Sequence, residues 1–187
     1  PAAYTNGAPL LHAQERLWFV EQLQAARTGA NVPLALRLRG ALDVAALQSA
    51  LRALVAAHDA LRSVYHMQDG APVQTLHAHE VRLEGLSLAT LDSTAAARAL
   101  GAALERHAGA PLDVATGPLW RFALIELSRA EHVLALTFHH LVCDGWSVGL
   151  MLRDLALAYG AAAGGEPGAG LLPPRPSLHG IAALERS

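Results

Sequence analysis

A single cysteine, Cys143, stands in 187 residues, which excludes an internal disulfide framework and a multi-cysteine metal site. Lysine is missing altogether. All 14 basic residues are arginine, in an alanine-rich chain, a pattern of GC-rich coding. Charge of one sign is not in excess either: the formal net charge is −2 with histidines neutral, so there is no long-range field to favour nucleic acid as the main partner. No apolar run reaches the length of a bilayer span, and no charged leader followed by an apolar stretch opens the sequence. The expectation is a soluble cytoplasmic protein with no membrane partner. Internal repeats and heptads are lacking. No Gly-x-Gly-x-x-Gly follows a first strand, which disfavours a doubly wound dinucleotide fold.

What is present is hydrophobic: 52% of the chain, enough for one substantial core. Leu11 to Gln24 reads as a short helix with Leu17, Trp18 and Val20 apolar and Gln14, Glu15 and Arg16 polar, broken at Thr28-Gly29-Ala30-Asn31. Val32 to Arg39 alternates, with Val32, Leu34, Leu36 and Leu38 on one side and Arg37 and Arg39 on the other, as a strand with one wet face does. Pro33 puts that strand near an edge, or starts it there. Asp43 caps a helix whose apolar positions, Val44 through Leu61, follow at three- and four-residue steps to about Arg62. Asp69-Gly70 signals a hairpin between Val64-Tyr65 and Pro72–Leu76. Val81 to Leu88 is a further strand, and Thr94 to His107 an alanine-rich helix. Leu119–Leu127 and His132–His140 form a second hairpin, apolar on both faces and therefore central in a sheet. A helix from Ser147 to about Tyr159-Gly160, a Gly/Pro-rich linker over Ala161–Pro176 and a short helix from Leu178 complete the order. The fold class is α/β: a two-layer sandwich with a mixed, largely antiparallel sheet.

The sequence converges on Phe138-His139-His140-Leu141-Val142-Cys143-Asp144-Gly145-Trp146-Ser147, a strand end, a tight turn and a helix start. Adjacent strand residues face opposite sides, so His139 and His140 cannot do the same job. One is packed or orienting, and the other opens into a cavity. An imidazole on a rigid strand end suits acid/base chemistry on an acyl carbonyl; a pair of satisfied core histidines is the competing reading. His12, His66, His77, His79 and His107 have no partner at metal-ligand spacing, and the His139-His140 adjacency sends one ring the wrong way for a shared metal. His58, on the apolar side of its helix, reads as packed. Cys143 as a nucleophile lacks a supporting partner geometry.

His139 through Gly145 resembles the His-His-x-x-x-Asp-Gly signature of acyltransferases of the chloramphenicol acetyltransferase type. Continued through Trp146-Ser147, it looks most like the condensation domain of nonribosomal peptide synthetases. Leu11 to Val20 is similar to that family's first core motif, and His58-Asp59-Ala60-Leu61-Arg62-Ser63 to its second, with Ala57-His58-Asp59 where the family usually has Arg-His-Glu. The fourth motif, rich in aromatics, would fall at Leu178 to Leu184, where no aromatic stands. The resemblance implies a chloramphenicol acetyltransferase-like lobe, half of a pseudo-dimeric domain, with residues 1–160 as the N-terminal lobe and 161–187 as linker and start of the crossover to a second lobe.

It further implies amide formation between a carrier-bound acyl thioester and the amine of a carrier-bound aminoacyl group, and Asp-Gly-Trp-Ser leans toward the type joining two L-configured units. His140 would be catalytic, as base or by positioning and stabilising the tetrahedral intermediate, and His139 structural. Asp144 would pair with Arg62, Gly145 would admit close approach of substrate, and Trp146 and Ser147 would wall the channel, a core tryptophan being the alternative for Trp146. No cofactor is expected on this chain. The 4′-phosphopantetheine arm belongs to upstream and downstream carrier domains, which with the second lobe and a neighbouring adenylation domain are the expected partners. With no serine in a Gly-Gly-x-Ser setting, the chain receives carriers and is not one. Another acyltransferase of the superfamily using a CoA or carrier thioester, or a non-catalytic docking lobe, are the alternatives.

Overall fold

A computed structural model describes residues 7–23, 30–166, 172–173 and 175–186. The first half of the expected helix stop, Thr28-Gly29, and the middle of the expected linker lie outside them. Strand β1 (Ala8–Pro9) leads into α1 (His12–Leu23), β2 (Asn31–Arg39) and α2 (Val44–Ala57). Strands β3 (Ser63–Gln68), β4 (Ala71–Leu76) and β5 (Leu83–Ser87) follow, then α3 (Ser93–Gly109). The chain continues through β6 (Trp120–Ser128), β7 (Glu131–His139), α4 (Gly145–Ala163) and α5 (Leu178–Glu185).

The four-stranded sheet runs β2-β7-β6-β5, antiparallel except for the parallel β5/β6 pair. The doubly apolar strands β6 and β7 hold its centre, and β2, carrying Pro33, is its edge. Residues of one parity (Phe122, Leu124, Leu134, Leu136, Phe138) meet Leu47, Leu51 and Leu54 of α2 and Met151 and Leu155 of α4 in the large core. The other parity (Ile125, Val133) meets Ala103 of α3 and Leu88. The sheet and its α2/α4 layer form the α/β sandwich with a mixed, largely antiparallel sheet, and α3 lies against the reverse face. Edge arginines Arg37 and Arg39 leave the core and share Glu131 Oε1 at 3.0 and 3.1 Å.

The Asp-Gly hairpin forms in a separate sheet, β1-β4-β3. Its two turn residues take the positive φ that a tight hairpin of this hand requires, 51° at Asp69 and 81° at Gly70. Two helix limits and one buried face differ from the sequence reading. The helix capped by Asp43 stops at Ala57, because His58 turns extended (φ −112°, ψ 107°) and a 3-10 turn, Asp59–Arg62, follows. Helix α4 continues to Ala163, into the stretch read as linker. In α1 the buried stripe is Gln14, Trp18 and Glu21, while Val20 is 49% exposed. Helix α5 returns to the start of the fold, where Glu185 Oε2 accepts from the His12 N–H (2.9 Å) and Arg186 Nη2 donates to the Leu10 carbonyl (2.9 Å).

Candidate active site at the end of strand β7

Strand β7 ends at His139, which pairs with Asn31 across the ladder and donates its N–H to the Leu119 carbonyl at 2.9 Å. The next N–H, of His140, reaches the Ala30 carbonyl at 2.8 Å, and that of Val142 turns back to the His139 carbonyl at 3.0 Å. The turn is therefore tied to both neighbouring strands before its side chains are considered. Alternation then separates the two imidazoles. His139 is 1% exposed, while His140 faces solvent.

The His139 ring works inward. Its Nδ1 accepts the Leu141 N–H at 3.2 Å, and its Nε2 lies 3.6 Å from Oε2 of the buried Glu21. Burial lowers the His139 pKa from its usual value, against the pull of the Glu21 carboxylate. The Leu141 carbonyl accepts from Gln14 Nε2 (3.2 Å) and the Tyr65 hydroxyl (3.3 Å), and Gln14 Nε2 also donates to the Tyr65 oxygen (2.9 Å). In sequence Gln14 belongs to the polar side of α1, and Glu21 carries no mark of a site residue. The signal that could have found them is their spacing, four before and three after Trp18, which sets all three on one helical stripe. Cys143 is buried, and burial pushes its thiol up to about 11. A thiol so disfavoured as thiolate is a poor nucleophile.

The Asp144–Arg62 pair expected from the resemblance is not formed. Asp144 caps α4: its Oδ1 accepts from the Ser147 N–H at 2.8 Å and the Ser147 hydroxyl at 2.7 Å. Those Ser147 contacts hold its carboxyl below the usual carboxylate range. Arg62 instead closes the 3-10 turn on Asp59, Nη2 to Oδ1 2.5 Å, a partner three residues away that costs little chain entropy to reach. The core alternative for Trp146 is likewise overturned: it is 89% exposed, and Leu150, one turn on, is 44% exposed. At Gly145 an added Cβ would meet nothing within 4 Å among the described residues.

A second polar cluster has no counterpart in the sequence reading. Asp154 of α4 is fully buried and binds His58 Nε2 at 2.9 Å, Arg153 Nη2 at 3.3 Å and Arg175 Nη2. Burial raises the Asp154 pKa, but these contacts outweigh it and hold the carboxyl below its usual range. Asp154 reads in sequence as one more polar residue of α4, and only the fold brings Arg175 to it.

The sequence model of the condensation domain matches residues 4–173. The chain belongs to the condensation-domain family. Among its relatives, chondramide synthase of Chondromyces crocatus is 38% identical over 168 residues, covering 89% of this chain and 4% of that protein. Cyclosporin synthetase of Tolypocladium inflatum is 40% identical over 162 residues, 87% of this chain and 1% of that protein. This condensation-family chain thus spans a few per cent of the length of such relatives. Among solved structures, the X-domain of teicoplanin biosynthesis in complex with OxyB superposes with a TM-score of 0.86 at 32% identity, over 100% of this chain and 39% of that one. A starter condensation domain of rhizomide synthetase shares the fold, with a TM-score of 0.85 at 22% identity over 99% of this chain and 42% of that one.

Proposed function

We propose that this chain supplies the histidine-bearing half of a condensation site for nonribosomal peptide synthesis. In that reaction the amine of a carrier-bound aminoacyl group attacks a carrier-bound acyl thioester. The C–N bond forms, the C–S bond breaks, and the amine proton is passed on as the donor thiol leaves. The observation that carries the reading is the contrast at the end of β7: a solvent-facing His140 on a turn bonded to both adjacent strands, beside a His139 wholly given to the interior. In this role His140 stands at the attacking amine, as its base or as a charge-stabilising donor to the tetrahedral intermediate.

The open space around Gly145 gives room for a pantetheine-borne substrate, and the exposed Trp146 offers it an apolar wall. Ser147 acts through Asp144, which it holds as the cap of α4. The 4′-phosphopantetheine arms come with upstream and downstream carrier domains, in a cytoplasmic assembly with an adenylation domain. Residues 161–187 begin the crossover to a second lobe. The test is transfer of a labelled acyl group from a loaded donor carrier to an aminoacyl-loaded acceptor carrier by the complete domain, read by mass spectrometry of the acceptor. A free acyl-CoA donor serves as the comparison.

A second reading, docking without catalysis, is favoured by the X-domain neighbour, which is described in complex with OxyB. Saturable carrier binding with no amide product would support docking. Amide product would exclude it.

A further inference from the structure

Helix α1 buries only three side chains, Gln14, Trp18 and Glu21, and two of the three are polar groups aimed at the His-His turn. Gln14 is fully engaged, its Nε2 donating to the Leu141 carbonyl and the Tyr65 oxygen and its Oε1 accepting from the Leu11 N–H. Glu21 is different: among the described residues its Oε1 has no hydrogen-bond partner, and neither has the Nε2 of His139, although both side chains are at least 97% buried. An acid kept this deep with an unsatisfied oxygen is costly, and it faces the unpartnered ring nitrogen across 3.6 Å. The other ring nitrogen tells which state of His139 is present. A backbone N–H can only donate, so the Nδ1 that receives the Leu141 N–H carries the lone pair. The neutral ring then has its proton on Nε2, pointing at Glu21.

We propose that Glu21 is a positioning residue of the condensation site: it fixes the Nε2–H tautomer of His139, whose Nδ1 thereby holds the Leu141 N–H and the peptide that links it to His140. The chain of contacts is short and continuous. The Glu21 carboxylate faces Nε2–H, Nδ1 takes the Leu141 N–H, and that N–H belongs to the peptide unit whose carbonyl carbon is His140's own. Gln14 and Tyr65 secure the next carbonyl, of Leu141. With the wrong tautomer, Nδ1–H would oppose the Leu141 N–H, donor against donor, and the peptide after His140 would have to turn away. Because reacting atoms must be held close and aligned, a displacement of about 1 Å costs on the order of a hundredfold in rate.

The proposal rests on the reading that His140 serves condensation, but its first test does not need turnover. In the complete domain labelled with 15N-histidine, the His139 resonances, assigned by their loss in His139→Asn, are expected to show a protonated Nε2 and a lone pair at Nδ1. A proton on Nδ1 in the wild type overturns the proposal, whatever the domain catalyses. The second arm replaces Glu21 by Leu, which keeps the site apolar and filled, and by Gln, which keeps an acceptor oxygen without the charge. Glu21→Leu is expected to lower kcat about a hundredfold at unchanged KM for the acceptor carrier, with mixed His139 tautomers. Glu21→Gln is expected to recover part of both. Wild-type kcat and an unchanged tautomer in Glu21→Leu would overturn positioning. If neither wild type nor variants form amide, the condensation reading fails, and the tautomer in the same samples still decides the role of Glu21.

Discussion

At the scale of single residues, the two aspartates of α4 separate local from global roles. Asp144 is exposed and serves only the first turn of its helix, so Asp144→Ala should cost what a lost N-cap costs, about 0.5–2 kcal/mol. Its effect should add to that of Arg62→Ala within about 0.5 kcal/mol, because the two side chains do not meet. A coupling energy well above that in a urea double-mutant cycle would restore the ion pair expected from the resemblance. Asp154 is the opposite case. Removing it leaves Arg175, 21% exposed at its side chain, and the half-buried His58 without their shared carboxylate. Asp154→Ala should therefore cost about 3–5 kcal/mol, and a loss under about 1 kcal/mol in the same measurement would count against the cluster as an anchor of residue 175 to the fold.

At the scale of elements, alternation and capping made most of the fold legible. Strands β6 and β7, apolar on both faces, could only be central. Period two in β2 put Arg37 and Arg39 outside, and Asp43 announced α2. What stayed hidden depended on contacts distant in sequence. Nothing local marks His58 as the end of α2, because its ring leaves for Asp154, 96 residues away. Nor does a polar Glu21 next to Val20 look buried until a histidine from β7 faces it. The same logic explains the Asp144 error: a motif resemblance carries a pairing, but helix capping is the nearer use of that carboxylate.

Helix α3 carries a pH consequence. His107 packs against β7 with its Nδ1 2.9 Å from Thr137 Oγ1, its Nε2 buried without a partner among the described residues, and burial lowers its pKa from 6.5 to about 4. Because the folded value is the lower one, the unfolded chain takes the proton first. The stability held above about pH 6.5 is then lost as pH falls toward 4. His58 and His79 are shifted the same way by burial. Unfolding free energies measured between about pH 7 and 5, above most carboxylate titration, should fall with acid, and His107→Asn should flatten that slope. An unchanged slope in the variant would contradict the assignment to His107.

At the scale of the molecule, the chain has core enough to fold but bears its histidine on an open face. Beside the turn, Trp146 is 89% exposed, and on α1 Leu23 is 86% and Phe19 53% exposed. Large apolar side chains left bare on the elements flanking a candidate site suit a surface that something else covers. In the proposed reaction, two thioester-borne substrates need enclosure and water exclusion that a single wall does not supply. The 187-residue chain alone should therefore fold cooperatively, by calorimetry, yet give no amide product with loaded carriers, and turnover by it would refute the half-site argument. Whether His140 carries the chemistry is decided by single-turnover amide formation in the complete domain, wild type against His140→Ala. The rate is expected to fall by about 10²–10⁴-fold in the variant, with acceptor-carrier affinity unchanged; amide formed by the variant at the wild-type rate would rule out that role for His140.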